Sequence, residues 1–365
     1  MKKRTAALFL ITVIAAAIAG GCGSADAAVS GGQASAQEAG NEVDDTAAQD
    51  SKSTGAVYKV GIVQFVDDAS LNQIEASIEK ELDAKAAQLG VTFQYGDYTY
   101  NGQADATVLN QIAAELIASE VDVIVPIATP AAMVMQNATE DNQIPVVFSA
   151  VSDPVGAGLV AAMDAPGSNI TGTSDSLNTE AVMELMFAAD PDIAKIGLLY
   201  SKSEDSSKAP VEAAKAYCEK KGVEVVEKTG TTNDEVALAA DALLAEGVQA
   251  VFTPTDNTVM TAELAIYEKF IEAGVPHYGG ADSFALNGAF LGYGVNYEEL
   301  GKATADMVVE ILVNGADPKT TAVVTLDNGI ATVNTETAQA IDLDYGMFAD
   351  MCMELREIVT AKEFE

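Results

Sequence analysis

The sequence predicts an α/β protein made of two doubly wound parallel-sheet lobes around a cleft. Three observations lead there. Short, unbroken apolar runs such as Val121 to Ile127 have the pattern of parallel strands buried on both faces. Between such runs, apolar residues recur at helical spacing, as in Leu109, Ile112, Ala113, Leu116 and Ile117. The order of these segments then repeats. Lys195 to Tyr200 echoes Lys59 to Gln64, Gly222 to Val226 echoes Gly90 to Phe93, Gly247 to Phe252 echoes Val121 to Pro126, and Val275-Pro276 echoes Ile144-Pro145. Two βαβ halves of this size imply two lobes.

Taken in order, Lys59 to Phe65 forms the first strand. Ser70 to Leu89 is the first helix and stops at Gly90, a residue suited to the left-handed conformation of a helix C-terminus. Val91 to Tyr98 is a strand, the Leu109 to Ile117 face a helix, and Val121 to Ile127 a central strand. Thr129-Pro130-Ala131 opens the next helix, with Thr129 expected as N-cap and Pro130 at the first helical position. Ile144 to Ser149 is the following strand. Parallel strands joined by helices place their carboxyl ends on one edge of the sheet, and ligands bind outside that edge. The architecture alone therefore calls for a binding cleft between strand-end loops.

The N-terminus predicts export. Met1 to Arg4 is cationic, and Ala6 to Ala19 is apolar apart from Thr12, too short for a membrane span and placed as a signal peptide. Ala19-Gly20-Gly21-Cys22 resembles a lipoprotein signal over residues 1–21, with Cys22 lipidated. Residues 22–56 are rich in Ala, Gly, Ser, Asp and Gln and read as a flexible tether. The expected location is the extracytoplasmic side of the cell membrane, held through the lipid alone.

The formal net charge is −36, and Arg4 and Arg356 are the arginines of the chain. Nucleic-acid binding needs a basic footprint, which this sequence lacks. His277 is the single histidine, so histidine metal clusters are excluded, and it is expected to be structural. Gly156 to Ala161 superficially fits a dinucleotide fingerprint, but Asp153-Pro154 separates it from the preceding strand, and a structural loop is expected. The sequence has no P-loop, and Asp342-Leu343-Asp344 lacks calcium-loop spacing. No cofactor, no metal and no enzymatic activity are expected. Cys218 and Cys352 are expected as free thiols.

Several segments in a fixed order carry a resemblance. They are Gln64-Phe65-Val66, Ile127 to Ala132, Ser152 to Ala157, Asn169 to Gly172, Tyr200 to Lys208, Thr255 to Thr258, Gly301 to Thr304 and Asn334 to Ala338. From about Val57 to Tyr345 the chain resembles the tryptophan/tyrosine-type ABC transporter substrate-binding proteins, of the type I periplasmic-binding fold. It departs from them at Asp67-Asp68-Ala69, where the family usually carries a histidine followed by proline. The resemblance implies a hinged cleft with three crossings between lobes, placed near Thr173, Asn296 and Asn314. The first lobe is then 57–173 plus 297–314, and the second 174–296 plus 315–365. It implies a small-molecule ligand, expected to be an aromatic or other hydrophobic free amino acid, and ABC permease subunits as partners. Another small solute (a branched-chain amino acid, a sugar or a peptide) and a sensory role remain open alternatives.

For such a ligand, the scarcity of arginine removes the bidentate guanidinium clamp. Backbone N–H groups at a helix start serve instead, and Thr129, Pro130 and Ala131 offer one such start. The Ser203 to Ser206 turn offers a second, in which Glu204 and Asp205 repel an anion unless they point away. Asp256 is the first expectation for the ammonium acceptor and Asp282 the second, with helix capping or turn formation as the alternative for each. Phe65 and Tyr200 are expected as apolar walls, in a chain without tryptophan. Gln64, Ser149 and Asn257 are expected to orient the ligand, and Asp153 either to join them or to shape a turn.

Overall fold

The computed structural model describes residues 55–364. The residues expected as signal peptide, Cys22 and almost all of the expected tether lie outside the described residues. The first half runs β1 (Val57–Gln64), α1 (Ala69–Leu89), β2 (Thr92–Gln94), β3 (Thr99–Asn101), α2 (Ala106–Ala118), β4 (Val123–Ile127), α3 (Thr129–Thr139), β5 (Val146–Phe148) and β6 (Ile170–Ser174). The second half follows as α4 (Thr179–Ala189), β7 (Lys195–Tyr200), α5 (Lys208–Lys221), β8 (Glu224–Thr229), α6 (Asn233–Ala245), β9 (Ala250–Thr253), α7 (Asn257–Ala273), β10 (His277–Gly279), α8 (Asp282–Leu286) and β11 (Leu291–Gly294). The chain then continues through α9 (Tyr297–Leu312), β12 (Val324–Thr325), β13 (Ile330–Asn334), α10 (Thr335–Ala340) and β14 (Glu354–Ile358).

Two sheets result, and they are the two lobes expected. The first has the order β12-β6-β5-β4-β1-β2, with β3 also on β1. The second has the order β14-β13-β11-β10-β9-β7-β8. All pairs within both sheets are parallel except β11 with β13. The repeat is visible in the pairing, since β1, β2, β4 and β5 occupy the places that β7, β8, β9 and β10 occupy in the second sheet. The central strand β4 is buried along its whole length, as a strand covered by helices on both faces must be.

Local chemistry sets the boundaries. Asp68 caps α1, its carboxylate accepting from the N–H groups of Ser70 and Leu71, and Gly90 ends the helix with φ 68°. Of the expected strand from Val91 to Tyr98 only Thr92–Gln94 is strand, because the chain turns after it, with Tyr98 N–H donating to the Tyr95 carbonyl at 2.7 Å, and β3 begins just beyond at Thr99.

The chain crosses between the sheets after β6, between β11 and α9, and between β12 and β13. The last crossing differs from the expectation near Asn314. Residues 315–326, expected with the second lobe, stay with the first, because β12 pairs with β6 through Val324↔Thr173 and Thr325↔Ser174. This strand is two residues long and exposed, so it has no apolar pattern to announce it.

Helix α9 is what returns the chain to the first lobe, and it lies against α1. A side chain at Gly301 would place its Cβ 2.6 Å from the Ile74 carbonyl oxygen and 2.7 Å from the Ser77 Cβ, so the two helices approach closely only because this residue is glycine. Lys85 of α1 and Asp306 of α9 form an ion pair on the same seam. At the centre, Thr304 bridges two strand ends, with Ser149 Oγ and Thr173 Oγ1 each 2.8 Å from its hydroxyl. Overpacking a close helix seam of this kind costs about 1–3 kcal/mol. Gly301→Val is therefore expected to lower the melting temperature of the soluble domain clearly, as read by circular dichroism. A variant that melts with wild type would show that the seam is not tightly packed.

Candidate functional site

The strand-end loops of the two sheets meet around a small chamber of ≈ 20 Å3. The first lobe contributes Asp68, Ser70, Ala128, Thr129 and Ser152, the crossings contribute Asp175 and Tyr297, and the second lobe contributes Ser206, Asn257 and Met260. That volume holds about one water. The lobes are thus shut upon each other. Ser70 Oγ donates to Asp282 Oδ1 at 2.5 Å and accepts from the Ser283 N–H at 3.2 Å, which latches α1 to α8 across the cleft.

Helix starts converge here. Thr129 is not the N-cap of α3, as expected, but its first residue. The cap is Ala128, which makes no side-chain hydrogen bond and has φ 79° and ψ 154°, a region almost reserved for glycine. The Ala128 N–H donates to the Ser149 carbonyl at 2.9 Å, which holds the strained residue. The start of α3 consequently faces the chamber without a capping side chain; Pro130 has no N–H and the Ala132 N–H donates to the Ala128 carbonyl at 3.1 Å, so the N–H groups of Thr129 and Ala131 and the helix dipole are what it offers. From the second lobe, the turn leading into α5 brings Ser206. Its hydroxyl is buried and has no hydrogen-bond partner.

Acids converge on the same place. Asp68, Asp175 and Asp282 are all buried, and none makes an ion pair among the described residues. Burial pushes Asp68 up to about 7, with the Asp282 charge adding to it and the N–H groups of Leu71 and Ser70 opposing it. Burial likewise raises Asp175 to about 6 against the hydrogen bond from Ser152 Oγ at 3.0 Å. Asp282 is raised to about 6 by burial, opposed by Ser70 and by the charge of Arg356, whose own ion pair is with Glu354. Tyr297 stands among all three carboxyls, its own pKa driven far up by burial and then by their charges.

The residues singled out from the sequence fall into three groups. Thr129 and Asn257 line the chamber. Phe65, Pro130, Ser203 and Glu204 line an adjoining groove between the lobes, again with Asn257. The others serve the framework. Asp256 caps α7 through the Val259 N–H at 3.0 Å, and its second oxygen accepts from Ser201 N–H and Ser207 Oγ, both at 2.7 Å. The expectation of an ammonium acceptor there is replaced by a capping and turn-anchoring role. Tyr200 donates to Glu227 at 2.8 Å, on the β7–β8 edge, and lines neither chamber nor groove. Ser149 belongs to the hydroxyl cluster at Thr304, Ala131 is buried within α3, and Gln64 donates to Asn72 at 2.8 Å. Asp153 accepts from the Gly156 N–H at 2.7 Å, as a turn residue does. Asp282 meets Ser70 rather than the chamber. His277 is buried between Glu263, 2.9 Å from Nδ1, and Thr253, 2.8 Å from Nε2, in the interior of the second lobe.

Sequence reasoning missed Asp175, Ser70 and Tyr297, and reached Ser206 only as the end of the Ser203 to Ser206 turn. Asp175 and Tyr297 sit at the crossings, and position beside a crossing is the one signal they carry. Asp68 was visible only as the departure at Asp67-Asp68-Ala69.

The molecule has relatives over most of its length. The chain is 33% identical over 284 residues to a tyrosine-binding protein of Clostridioides difficile, covering 78% of this chain and 81% of that one. Its fold matches a Streptococcus pneumoniae ABC domain in complex with L-Trp, with a TM-score of 0.75, 31% identity and coverage of 82% and 100% of the two chains. A ligand-free, open substrate-binding protein with adhesive properties from Clostridium difficile matches at a TM-score of 0.63, also with 31% identity and with coverage of 83% and 100%. The family profile of ABC transporter substrate binding proteins matches residues 59–346, and with a cleft between two doubly wound lobes at its centre the chain belongs to that family.

Proposed function

We propose that this protein is the extracytoplasmic receptor of an ABC importer and that it binds a free aromatic amino acid in the interlobe chamber and passes it unchanged to the permease. One observation carries the reading. The chamber sets buried acids without basic partners, Asp68 and Asp175, against an uncapped helix start at Thr129 and a partnerless hydroxyl at Ser206. A zwitterion matches both sides. Its ammonium offsets the charge that the carboxyls would otherwise bury alone, and its carboxylate receives the α3 N–H groups and the Ser206 hydroxyl. The tyrosine- and tryptophan-binding relatives support an aromatic side chain. A bound amino acid holds the lobes slightly farther apart than the 20 Å3 chamber does, with the crossings acting as hinges.

Charge-assisted hydrogen bonds are worth about 1.5–3 kcal/mol. Asp175→Asn is therefore expected to weaken tyrosine or tryptophan binding about ten- to a hundredfold, and Ser206→Ala about tenfold, with melting temperatures near that of wild type. Calorimetric titration reads both. Unchanged affinity in Asp175→Asn would remove it as the ammonium acceptor.

The raised carboxyls also set a pH dependence. An ammonium docking beside Asp68 and Asp175 draws their pKa values down from about 7 and about 6. Binding then releases protons, and affinity falls as pH drops through that window, by about tenfold or more between pH 7.5 and 5.5. The ligand-free fold behaves oppositely. Its carboxyls hold protons more tightly than the unfolded chain does, so its stability rises as pH falls from 7 toward 5. Titrations in buffers of different ionisation enthalpy count the protons, and a pH-independent affinity would contradict the arrangement.

The anchor completes the proposal. Cys22, in Ala19-Gly20-Gly21-Cys22, is the lipidated residue that keeps the receptor beside its permease. Cys22→Ala is expected to move the protein from the membrane fraction to the soluble exported fraction without altering ligand affinity. Retention in the membrane fraction at the wild-type level would refute the anchor.

A further inference from the structure

Next to the chamber, the lobes enclose a groove of ≈ 300 Å3. Phe65, Pro130 and Val134 form its wall on the first lobe, and Glu204, Asn257 and Thr258 its wall on the second. The two spaces are neighbours. Asn257 lines both, and Thr129 of the chamber is followed directly by Pro130 of the groove. The groove thus starts where the chamber ends and has one apolar, aromatic wall and one polar wall.

The polar wall contains an unusual group. Glu204 is 3% exposed and makes no ion pair among the described residues. Its oxygens accept from Asn257 Nδ2 at 3.2 Å and from Thr258 Oγ1 at 3.3 Å. A carboxyl has about four lone-pair positions, so these two bonds leave it acceptor capacity. Burial, and then the charge of neighbouring Asp256, raise its pKa and favour the protonated form. In that form it offers a donor as well as an acceptor. Asp256 is committed to Ser201, Ser207 and Val259, so it does not compete for the same ligand atom.

We propose that the groove is the side-chain subsite of the chamber, and that Glu204 selects aromatic side chains with a hydrogen-bonding edge, a phenol or an indole, over a plain phenyl ring. The inference rests on the amino-acid reading above and adds the residue that sets its specificity. Phe65 supplies a face for the ring, and Pro130 and Val134 cover it on the same side. Glu204 meets the far edge. A ligand without a polar edge leaves the buried carboxyl under-bonded, which is how a polar site rejects an apolar analogue. A second interlobe cavity, on the hinge side near Leu177 and Pro210, has neither an aromatic residue nor a buried carboxyl in its lining.

Tyrosine, tryptophan and phenylalanine are titrated calorimetrically into wild type, Glu204→Leu, Glu204→Gln and Phe65→Ala, with a melting curve for each. Wild type is expected to favour tyrosine over phenylalanine by tenfold or more. Glu204→Leu should bring that ratio to within about threefold, by weakening tyrosine while sparing phenylalanine, and Glu204→Gln should keep most of the preference. Phe65→Ala should weaken all three ligands, and it keeps the subsite testable if Glu204→Leu does not fold. A wild-type ratio in folded Glu204→Leu, or undiminished aromatic binding in Phe65→Ala, overturns the subsite while leaving the amino-acid reading intact. Failure of wild type to bind any of the three overturns that reading and the subsite together.

Discussion

Burying Asp68, Asp175 and Asp282 at the meeting face of two lobes is the constraint around which the molecule is organised. Carboxylates taken out of water without a counter-ion are expensive, and the described residues supply no lysine or arginine ion pair for any of these three. Their pKa values respond by rising toward neutrality. The shut cleft therefore carries an electrostatic penalty that grows as the groups ionise. A ligand that brings its own positive charge removes part of that penalty only when both lobes surround it. This ties occupancy to closure without any dedicated moving part.

The rest of the architecture keeps those groups in register. Gly301 lets α9 lie hard against α1, and Thr304 joins α9 to the ends of β5 and β6 through a cluster of hydroxyls. Asp68 sits at the start of α1, Tyr297 at the start of α9 and Asp175 directly after β6. One seam thus positions the acids of the chamber, while the α3 start and the turn into α5 position Thr129 and Ser206. The hydrophobic core of the first lobe is continuous, when the cleft is shut, with residues such as Val259 and Phe284 of the second, so the closed form is also favoured by apolar burial.

The fold was legible because its signals are periodic and redundant. Apolar runs such as Val121 to Ile127 have few readings other than a buried strand, and the repeat of their order in the second half fixed the two-lobed plan. Single events were less legible. The third crossing was expected near Asn314, before its actual place after β12, because Val324 and Thr325 pair by backbone alone and face solvent. Asp256 illustrates a different ambiguity. An acid at a strand end, before a helix, can face a ligand or cap the helix, and spacing cannot separate the two; here three internal donors claim it. Ser206 was legible only as the end of the Ser203 to Ser206 turn, because what distinguishes it there is a missing partner among the described residues, which only packing reveals. Phe65, Thr129, Glu204 and Asn257 were legible because strand-end position alone takes a residue to the cleft.

The backbone at Ala128 has a kinetic consequence. A non-glycine residue at φ 79° stores on the order of 1–3 kcal/mol, and the hydrogen bond to Ser149 together with the buried α3 holds it there before any ligand arrives. The N–H groups of this helix start therefore need no search through loop conformations when a solute enters. Parting the lobes breaks the Ser70–Asp282 latch, and a receptor that admits its solute only when open associates more slowly the less its open form is populated.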